Sequence, residues 1–415
     1  MCTLKNRVCS PSATLRRLAL AAAMGVLCTL AIANPPCPGD VDGNQVVDMG
    51  DVSMVLLDFG LCPVDPPAIA SVSPAWTPTA GGITITITGT SLTDATSVLV
   101  KGRAATSVTV LNDTTLIAVT PPGKAGAADV QVTTPRGGTA TITGAFTYSD
   151  APPWGTVLEQ APNATVVPNA SLRAAITATN LPWRVRDTGT GIEMVLIPPG
   201  TFTMGCSASN SYGCVSGENP THQVTLTKAL YMSRTEVTQA VWAAKMGSNP
   251  SRFNDRGERP VEQVSWYDVQ AFCGTTGMRL PTEAEWEYAY RAGTTTAFHI
   301  MPGYLNGTND DSQLGTIAWY GAGSGGSTNA VAAKVANGFG LYDMSGNVFE
   351  WCQDWYGTYA SGAQTNPTGP DSGSYRVMRG GSWFYNSNSS RASCRASQGP
   401  VDRYDDMGFR VARNP

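Results

Sequence analysis

Charged side chains are scarce in this chain: they make up 14% of its 415 residues, against roughly 25% in typical globular proteins. Lysine and arginine number 27 against 31 acidic residues, so the formal net charge is -4 at pH 7. Proteins that bind nucleic acid through its phosphates need a basic stripe. The chain has no such stripe, and we therefore expect no nucleic-acid partner.

Histidine is scarcer still, since the chain contains only His222 and His299. A non-haem iron site is usually built from several imidazole ligands, and two histidines are too few for a site of three. A lone histidine rarely makes a metal site, so we expect His222 to be structural.

Long apolar runs are missing beyond the N-terminus. There, four basic residues precede an apolar run from Leu18 to Ile32, and Ala31-Ile32-Ala33 has the small-x-small pattern of a signal-peptidase site. Pro35 follows almost at once, which argues against the alternative of a membrane anchor. Residues 1–33 are therefore predicted to be a signal peptide. We expect a secreted, periplasmic or cell-surface protein with no membrane span after cleavage.

Export changes how the 10 cysteines are interpreted, because close pairs form disulfides in an oxidising compartment. Cys37 with Cys62 and Cys206 with Cys214 are the predicted local pairs. Outside the signal peptide this leaves Cys273, Cys352 and Cys394. At least one thiol then has no partner within the chain, and which one it is stays open.

Residues 37–62 read CPGDVDGNQVVDMGDVSMVLLDFGLC, a pattern that predicts an acidic loop leading into an apolar helix. The loop has the ligand spacing of an EF-hand, with oxygen ligands from Asp40, Asp42, Asn44, Asp48 and Asp51 and the carbonyl of Val46. The segment resembles one half of a dockerin module, which implies calcium and a protein partner. Gln45 stands where the turn prefers glycine, so a disulfide-closed acidic loop without metal stays open.

Residues 66–148 contain short Val, Ile and Thr runs separated by Gly, Pro and Asn, which predicts an all-β sandwich. The phrases SVSP, GGITITITGTSL, TPPGKAGAADVQVTTP and FTY resemble an IPT/TIG immunoglobulin-like domain, which implies a spacer or a binding module. Residues 149–190 are rich in Pro, Ala and Thr, and we expect a loosely structured linker there.

The remaining residues, 191–415, carry a series of motifs: MVLIPPGTFTMGCS, RTEVTQAVWAAKMG, RPVEQVSWYDVQAFC, RLPTEAEWEYAYRAG, NGFGLYDMSGNVFEWCQDWYG, RGGSW and MGFRV. In this order they resemble the formylglycine-generating enzyme, or sulfatase-modifying factor, family. The resemblance implies a C-type-lectin-like mixed α/β domain. The whole chain is thus expected to be multidomain, with an EF-hand-like loop, an all-β immunoglobulin-like sandwich and this mixed domain.

Thr282 precedes an acidic segment with aromatic residues at helical spacing, and it is predicted to cap the N-terminus of a helix. Three glutamates there invite a general-acid role: Glu283, Glu285 and Glu287. Because Arg279 and Arg291 are close in sequence, we expect structural ion pairs instead.

The family resemblance also implies a structural calcium site in GLYDMSGNVFEW. Its ligands would be the carboxylates of Asp343 and Glu350 and the carbonyls of Gly346 and Val348, since calcium prefers oxygen ligands. The alternative, that the carboxylates only form hydrogen bonds in the turn, stays open.

The best-known members of this family oxidise a cysteine of a sulfatase peptide, using copper held by two cysteines after the Gly-Gly-Ser turn; other relatives are non-haem iron enzymes. Here that segment contains Tyr385, Ser387, Ser389 and Ser390, but no cysteine before Cys394. Copper(I) requires soft thiolate ligands, so we expect neither copper nor iron.

Six side chains are predicted to line the ligand cleft: Ser382, Trp383, Tyr385, Asn386, Arg391 and Arg395. Arginine forks between aromatic walls suit a peptide, carboxylate, sulfate or glycan. We expect a protein that binds a peptide, protein or glycan ligand without oxidising it. An oxygen-dependent oxidoreductase acting on a protein or thiol is the alternative. It also stays open whether the arginines pair internally, with Asp402, Asp405 and Asp406 as the candidate partners of Arg391, Arg395 and Arg410.

Overall fold

A computed structural model describes residues 65–415, except residues 136, 207–212, 301–305 and 322. The signal peptide predicted at 1–33 and the calcium loop predicted at 37–62 lie outside the described residues. Within the described part of the chain, no helix is both long and apolar enough to cross a bilayer.

The first described domain is a sandwich of two sheets. One sheet has the order β1-β3-β7-β6, formed by Ala68–Ser73, Thr84–Thr90, Thr115–Val119 and Ser107–Asn112. The other has the order β2-β9-β8-β4-β5, formed by Trp76–Thr77, Gly138–Tyr148, Gly126–Thr134, Ser97–Val100 and Arg103–Ala104. In β3, Ile85 and Ile87 are buried while Thr84, Thr86 and Thr88 are not, the alternation expected of a strand with one face on a core. The predicted all-β sandwich is confirmed.

The segment expected to be a loose linker is largely ordered, so that prediction is wrong for residues 155–187. It contains β10 (Gly155–Glu159), α1 (Ala170–Ala178) and β11 (Arg184–Asp187). These strands pair with β12 (Glu193–Ile197), β15 (Leu230–Ser233) and β23 (Ala412–Arg413) in a sheet of order β10-β11-β12-β15-β23. The apolar residues that anchor the segment, Val167, Ile176 and Trp183, are buried in one cluster with Trp76 of the sandwich. They are too far apart to give a periodic sequence signal.

The rest of the C-terminal domain consists of short strands and helices. Three strands form a sheet of order β13-β14-β19: Gly200–Met204, His222–Leu226 and Gln364–Thr365. Helices α2, α3 and α4 follow at Gln239–Met246, Trp266–Thr276 and Glu283–Arg291. β16 (Ala318–Trp319) pairs with β17 (Ser345–Gly346). A last sheet of order β21-β20-β18-β22 has strands Ala396–Gln398, Arg376–Arg379, Phe349–Trp355 and Met407–Gly408. Residues 380–395, which connect β20 to β21, are called the site segment.

Helix α4 begins as the sequence predicts. The Thr282 hydroxyl accepts a hydrogen bond from the Glu285 amide, and the Glu285 carboxylate accepts one from the Thr282 amide. This capping box satisfies amide groups that the helix itself leaves unpaired. Trp286 and Tyr290 are fully buried, so the helix packs its aromatic residues into the core beneath the site segment.

The predicted disulfide between Cys206 and Cys214 is present, with a Cα–Cα distance of 5.7 Å and a sequence separation of 8. Cys273, Cys352 and Cys394 are free thiols. The other predicted disulfide, Cys37 with Cys62, lies outside the described residues.

Replacing both Cys206 and Cys214 with serine is expected to lower the free energy of unfolding by about 2–3 kcal/mol, because the cross-link restricts the unfolded chain around a short loop. Urea unfolding of the double variant, followed by tryptophan fluorescence, measures the loss. An unchanged unfolding midpoint would contradict the prediction, and Val215→Ser, an exposed position next to Cys214, serves as a control that keeps the disulfide.

Candidate functional site

The site segment begins at a turn that only glycine can form. β20 leads into Gly380 and Gly381, whose φ angles are +93° and +76°, in the left-handed region that favours glycine. A Cβ atom on Gly381 would lie 2.8 Å from the carbonyl oxygen of Ser389. The turn buries Ser382, whose hydroxyl donates a hydrogen bond of 3.0 Å to Asp406.

A row of aromatic rings follows the turn. The Trp383 ring meets the Phe253 ring edge to face, with centroids 5.3 Å apart. The Phe384 ring then lies 5.6 Å from the Trp383 ring and 5.5 Å from the Tyr385 ring. Phe384 is 65% exposed and Tyr385 46%. We call Phe253, Trp383, Phe384 and Tyr385 the aromatic surface. Exposed aromatic rings that lie next to one another indicate a binding surface more often than single exposed rings do.

The arginines predicted to line the cleft form ion pairs within the domain. Arg391 forms a bidentate ion pair with Glu218 at 2.6 and 2.9 Å. Arg395 pairs with Glu283 at 2.6 and 2.7 Å, and Arg410 pairs with Glu350 at 2.6 and 2.7 Å. The internal pairing that stayed open thus exists, but the candidate partners Asp402, Asp405 and Asp406 are wrong.

Of the six predicted cleft residues, the structure brings four together around the aromatic surface. Ser382 and Trp383 are buried at its base, while Tyr385 and Asn386 are exposed. Asn386 precedes a 3-10 turn at Ser387–Ser390. The two arginines do not face a ligand there, because carboxylates hold their guanidinium groups.

The glutamates of α4 form the ion pairs expected from sequence, and further ones. Arg279 pairs with Glu285 at 2.6 Å and Arg291 with Glu287 at 2.8 Å. Glu287 also pairs with Arg379. Arg379 in turn donates to the carbonyl oxygens of Ala392, Ser393 and Cys394. The network therefore fixes the position of the site segment.

The residues at the site segment do not fit a copper ion. Its hydroxyl groups are hard oxygen donors, whereas copper(I) requires soft thiolates. Burial raises the pKa of the Cys394 thiol above its ordinary value, which disfavours the thiolate that binds metal. Among the described residues, the one cluster of three close metal-type ligands is Cys206, Cys214 and Glu218, and its two sulfurs form the disulfide.

The predicted calcium site contains more buried negative charge than its one arginine balances. Asp343, Glu350 and the unpredicted Glu236 are all buried, and Arg410 pairs with Glu350. One carboxylate oxygen of Asp343, Oδ1, is buried without a hydrogen-bond partner. Burial raises the pKa of Asp343 to about 6, and burial together with Asp343 and Glu350 raises that of Glu236 well above its ordinary value.

These donors fit a hard divalent cation, because a buried carboxylate without a partner is energetically costly unless an ion or water completes it. Glu350 contributes least, since Trp286 and Arg410 already donate to its oxygens at 2.6–2.7 Å. Both oxygens of Glu236 also accept hydrogen bonds, from Asn347 at 2.7 Å and from the Val348 amide at 3.1 Å. Asp343 is therefore the carboxylate with most to gain from a bound ion.

A separate cavity of about 330 Å³ lies between β14, α4 and the loop after β18. Arg395, Glu283, Asp354 and His222 are among its lining residues. Burial and the neighbouring Glu283 raise the pKa of Asp354 to about 8. The His222 ring packs against Tyr359, and its Nδ1 lies 3.1 Å from the Pro220 carbonyl oxygen. None of the residues of the aromatic surface lines this cavity.

Sequence reasoning missed Phe253, whose ring contacts Trp383, and Glu262, which binds the Phe253 amide. Glu262 is fully buried, and its Oε1 accepts a hydrogen bond of 2.8 Å from the Phe253 amide. Burial raises the pKa of Glu262 to about 7. The sequence carries no clear signal for a buried Glu262, because RPVEQV also contains the polar residues Arg259 and Gln263.

Comparisons with known proteins agree with the division into domains. A family model described as the sulfatase-modifying factor enzyme 1-like domain matches residues 182–415, and a model of the IPT/TIG domain matches residues 67–148. The formylglycine-generating enzyme of Thermomonospora curvata is 36% identical over 192 residues, which cover 43% of this chain and 63% of that protein. The match thus spans less than two thirds of that enzyme.

Two further relatives match over nearly their whole length. The chaperone protein LppX of Paenibacillus barcinonensis is 30% identical over 278 residues, covering 54% of this chain and 89% of that protein. The structure of PvdO from Pseudomonas aeruginosa is 29% identical, covers 56% of this chain and 98% of its own, and superposes with a TM-score of 0.49.

Proposed function

This chain belongs to the sulfatase-modifying factor family, and we propose that its C-terminal domain binds a peptide or glycan ligand on the aromatic surface without oxidising it. One observation carries the proposal. The segment after the Gly-Gly-Ser turn presents rings to solvent but offers hydroxyl groups where a copper oxidase needs a pair of thiolates. We further propose that the protein is exported, and that the dockerin-like segment at 37–62 binds a protein partner.

The absence of oxidase activity is tested with the mature protein, residues 34–415. The protein is incubated with copper, oxygen and a sulfatase peptide of the CxPxR type, and the peptide is weighed by mass spectrometry. We expect an unchanged peptide and no stoichiometric copper on the protein. Conversion of the peptide cysteine to an aldehyde would refute the proposal.

Ligand binding is tested by selecting peptides from a display library on the immobilised protein and by probing a glycan array. The Phe384→Ser, Tyr385→Ser double variant should lose the selected ligands, because both rings are exposed and contribute contact area instead of core packing. Tyr375→Ser is the matched control, since Tyr375 is 54% exposed but lies outside the aromatic surface. Ligands that bind both variants alike would place the site elsewhere.

An oxidoreductase remains the second candidate, because the ligand atoms of Cys206, Cys214 and Glu218 lie within 4.8 Å of one another. Reduction of the disulfide would turn this cluster into a thiolate-containing site that suits a soft metal. Metal analysis after reduction and reconstitution with copper or iron tests it. A stoichiometric metal that is lost in the Cys206→Ser variant would favour this candidate.

We also propose that calcium binds at Asp343, with the carbonyls of Gly346 and Val348 and the carboxylate of Glu350. Chelation is expected to lower the melting temperature, because an ion that binds only the folded state stabilises it by about 3 kcal/mol at a hundredfold excess over its dissociation constant. Differential scanning calorimetry with and without chelator measures the shift.

The Asp343→Asn variant should lose most of this calcium-dependent shift while keeping the backbone, since asparagine tolerates the φ of +56° at this position. An Asp40→Ala, Asp42→Ala variant separates any contribution of the N-terminal loop. If chelator leaves the melting curve of the unsubstituted protein unchanged, the proposed calcium sites do not exist.

A further inference from the structure

Glu262 lies at the base of the aromatic surface with half of its carboxylate unpaired. The Phe253 amide donates to Oε1, whereas Oε2 is buried and has no hydrogen-bond partner. The side chain is 0% exposed. A buried polar atom in this state forfeits its interaction with water and gains nothing in return. Native structures seldom tolerate this without a water, ion or ligand that completes the group.

The carboxylates around Glu262 leave this region negatively charged. Asp405 raises the pKa of both Glu262 and Asp406, after the larger effect of burial. Arg252 forms an ion pair with Asp405. Among the described residues, no other basic side chain forms an ion pair with Glu262, Asp405 or Asp406. Glu262 and Asp405 therefore share the positive charge of one guanidinium group, that of Arg252. Such a region attracts a second cation and repels an anion.

The neighbouring rings are suited to a cation as well. The Arg252 guanidinium carbon already lies 5.2 Å from the centroid of the Phe253 ring, within the range of a cation–π interaction. The Trp383 ring stands edge to face against the same ring, and its Nε1 donates to the Asp405 carbonyl oxygen at 2.9 Å. Aromatic walls and carboxylates thus meet at one place.

We infer that the ligand of the aromatic surface is anchored by a cationic side chain, whose guanidinium or alkylammonium group binds beside Phe253 and Trp383 and is neutralised by Glu262 and Asp405. This inference rests on the proposed ligand binding and specifies the chemistry of that same site. From the sequence, the charged groups expected in the cleft are arginines, which suit a peptide, carboxylate, sulfate or glycan. Carboxylates occupy those arginines, and the charge left unbalanced beside the rings is negative.

Small probes test the inference without knowledge of the full ligand. N-acetyl-arginine amide and N-acetyl-lysine amide are titrated into the mature protein by isothermal calorimetry, and the uncharged N-acetyl-norleucine amide is the matched control. We expect a dissociation constant of about a millimolar or tighter for the cationic probes and about tenfold weaker binding by the Glu262→Gln variant. Glu159→Gln, which removes a carboxylate elsewhere on the domain, should bind like the unsubstituted protein.

Equal binding of the norleucine probe, full affinity in a folded Glu262→Gln variant, or failure of every cationic probe to bind would each overturn the inference. If Glu262→Gln does not fold, Asp405→Asn decides, because Asp405 is partly exposed. Peptide selection separates this result from the proposed function. Selected peptides that bind without any lysine or arginine would refute the cationic anchor and leave the binding function intact. Binding of the cationic probes without any selected peptide or glycan would support the cationic anchor and refute the proposed ligand class.

Discussion

Replacing Glu287 with alanine is expected to lower the free energy of unfolding by about 3–5 kcal/mol, because the change removes the buried carboxylate that the guanidinium groups of Arg379 and Arg291 share. Glu287 is fully buried and accepts hydrogen bonds from Arg379, from Arg291 at 2.8 and 2.9 Å, and from the Gly205 amide at 2.9 Å. Urea unfolding followed by tryptophan fluorescence measures the effect.

The same variant should also loosen the site segment, because Arg379 loses a fixed partner and then holds the carbonyls of 392–394 less firmly. Amide hydrogen exchange in residues 380–395 is therefore expected to speed up. Asp255→Ala breaks the exposed pair with Arg259 and is the control, with no expected change in the midpoint. An equally small effect of both substitutions would show that the network contributes nothing to stability.

Local patterns in the sequence predicted the local contacts correctly. Thr282 caps α4, and Arg279 and Arg291 pair with glutamates of the same helix or its first turn, because residues three to six positions apart meet on a helix or at its end. The sandwich and the Cys206–Cys214 disulfide were likewise readable, since alternation along strands and close cysteine spacing are properties of short segments.

Ion pairs between residues far apart in the chain could not be predicted from the sequence. Arg391 meets Glu218 across 173 positions, and Arg395 meets Glu283 across 112. A single sequence does not show which acidic side chain the fold brings to a given arginine, and nearness along the chain points to the wrong aspartates. The role of Glu262 was unpredictable for the same reason, because its link to the aromatic surface runs through the Phe253 amide, nine positions away. The negative charge beside the aromatic surface is therefore visible only in the structure.

The ion pair between Glu218 and Arg391 gives the second large prediction. Replacing Glu218 alone with methionine is expected to destabilise the protein by about 3–5 kcal/mol, because it leaves a guanidinium that is 1% exposed without a counter-charge. Replacing both residues with methionine should recover most of this loss, since well-packed apolar side chains of similar volume often substitute for a buried ion pair. Urea unfolding of the two single variants and the double variant completes the cycle.

In the double variant, stability should recover while ligand affinity stays reduced. The Arg391 Nε donates to the carbonyl oxygen and side-chain oxygen of Asn388 at 2.9 and 2.7 Å, and these bonds hold the 3-10 turn that follows the aromatic surface. Methionine cannot replace them, so the double variant is expected to regain its unfolding midpoint yet bind the selected ligand more weakly. If affinity returns together with stability, Arg391 serves the core alone and the aromatic surface does not depend on the turn.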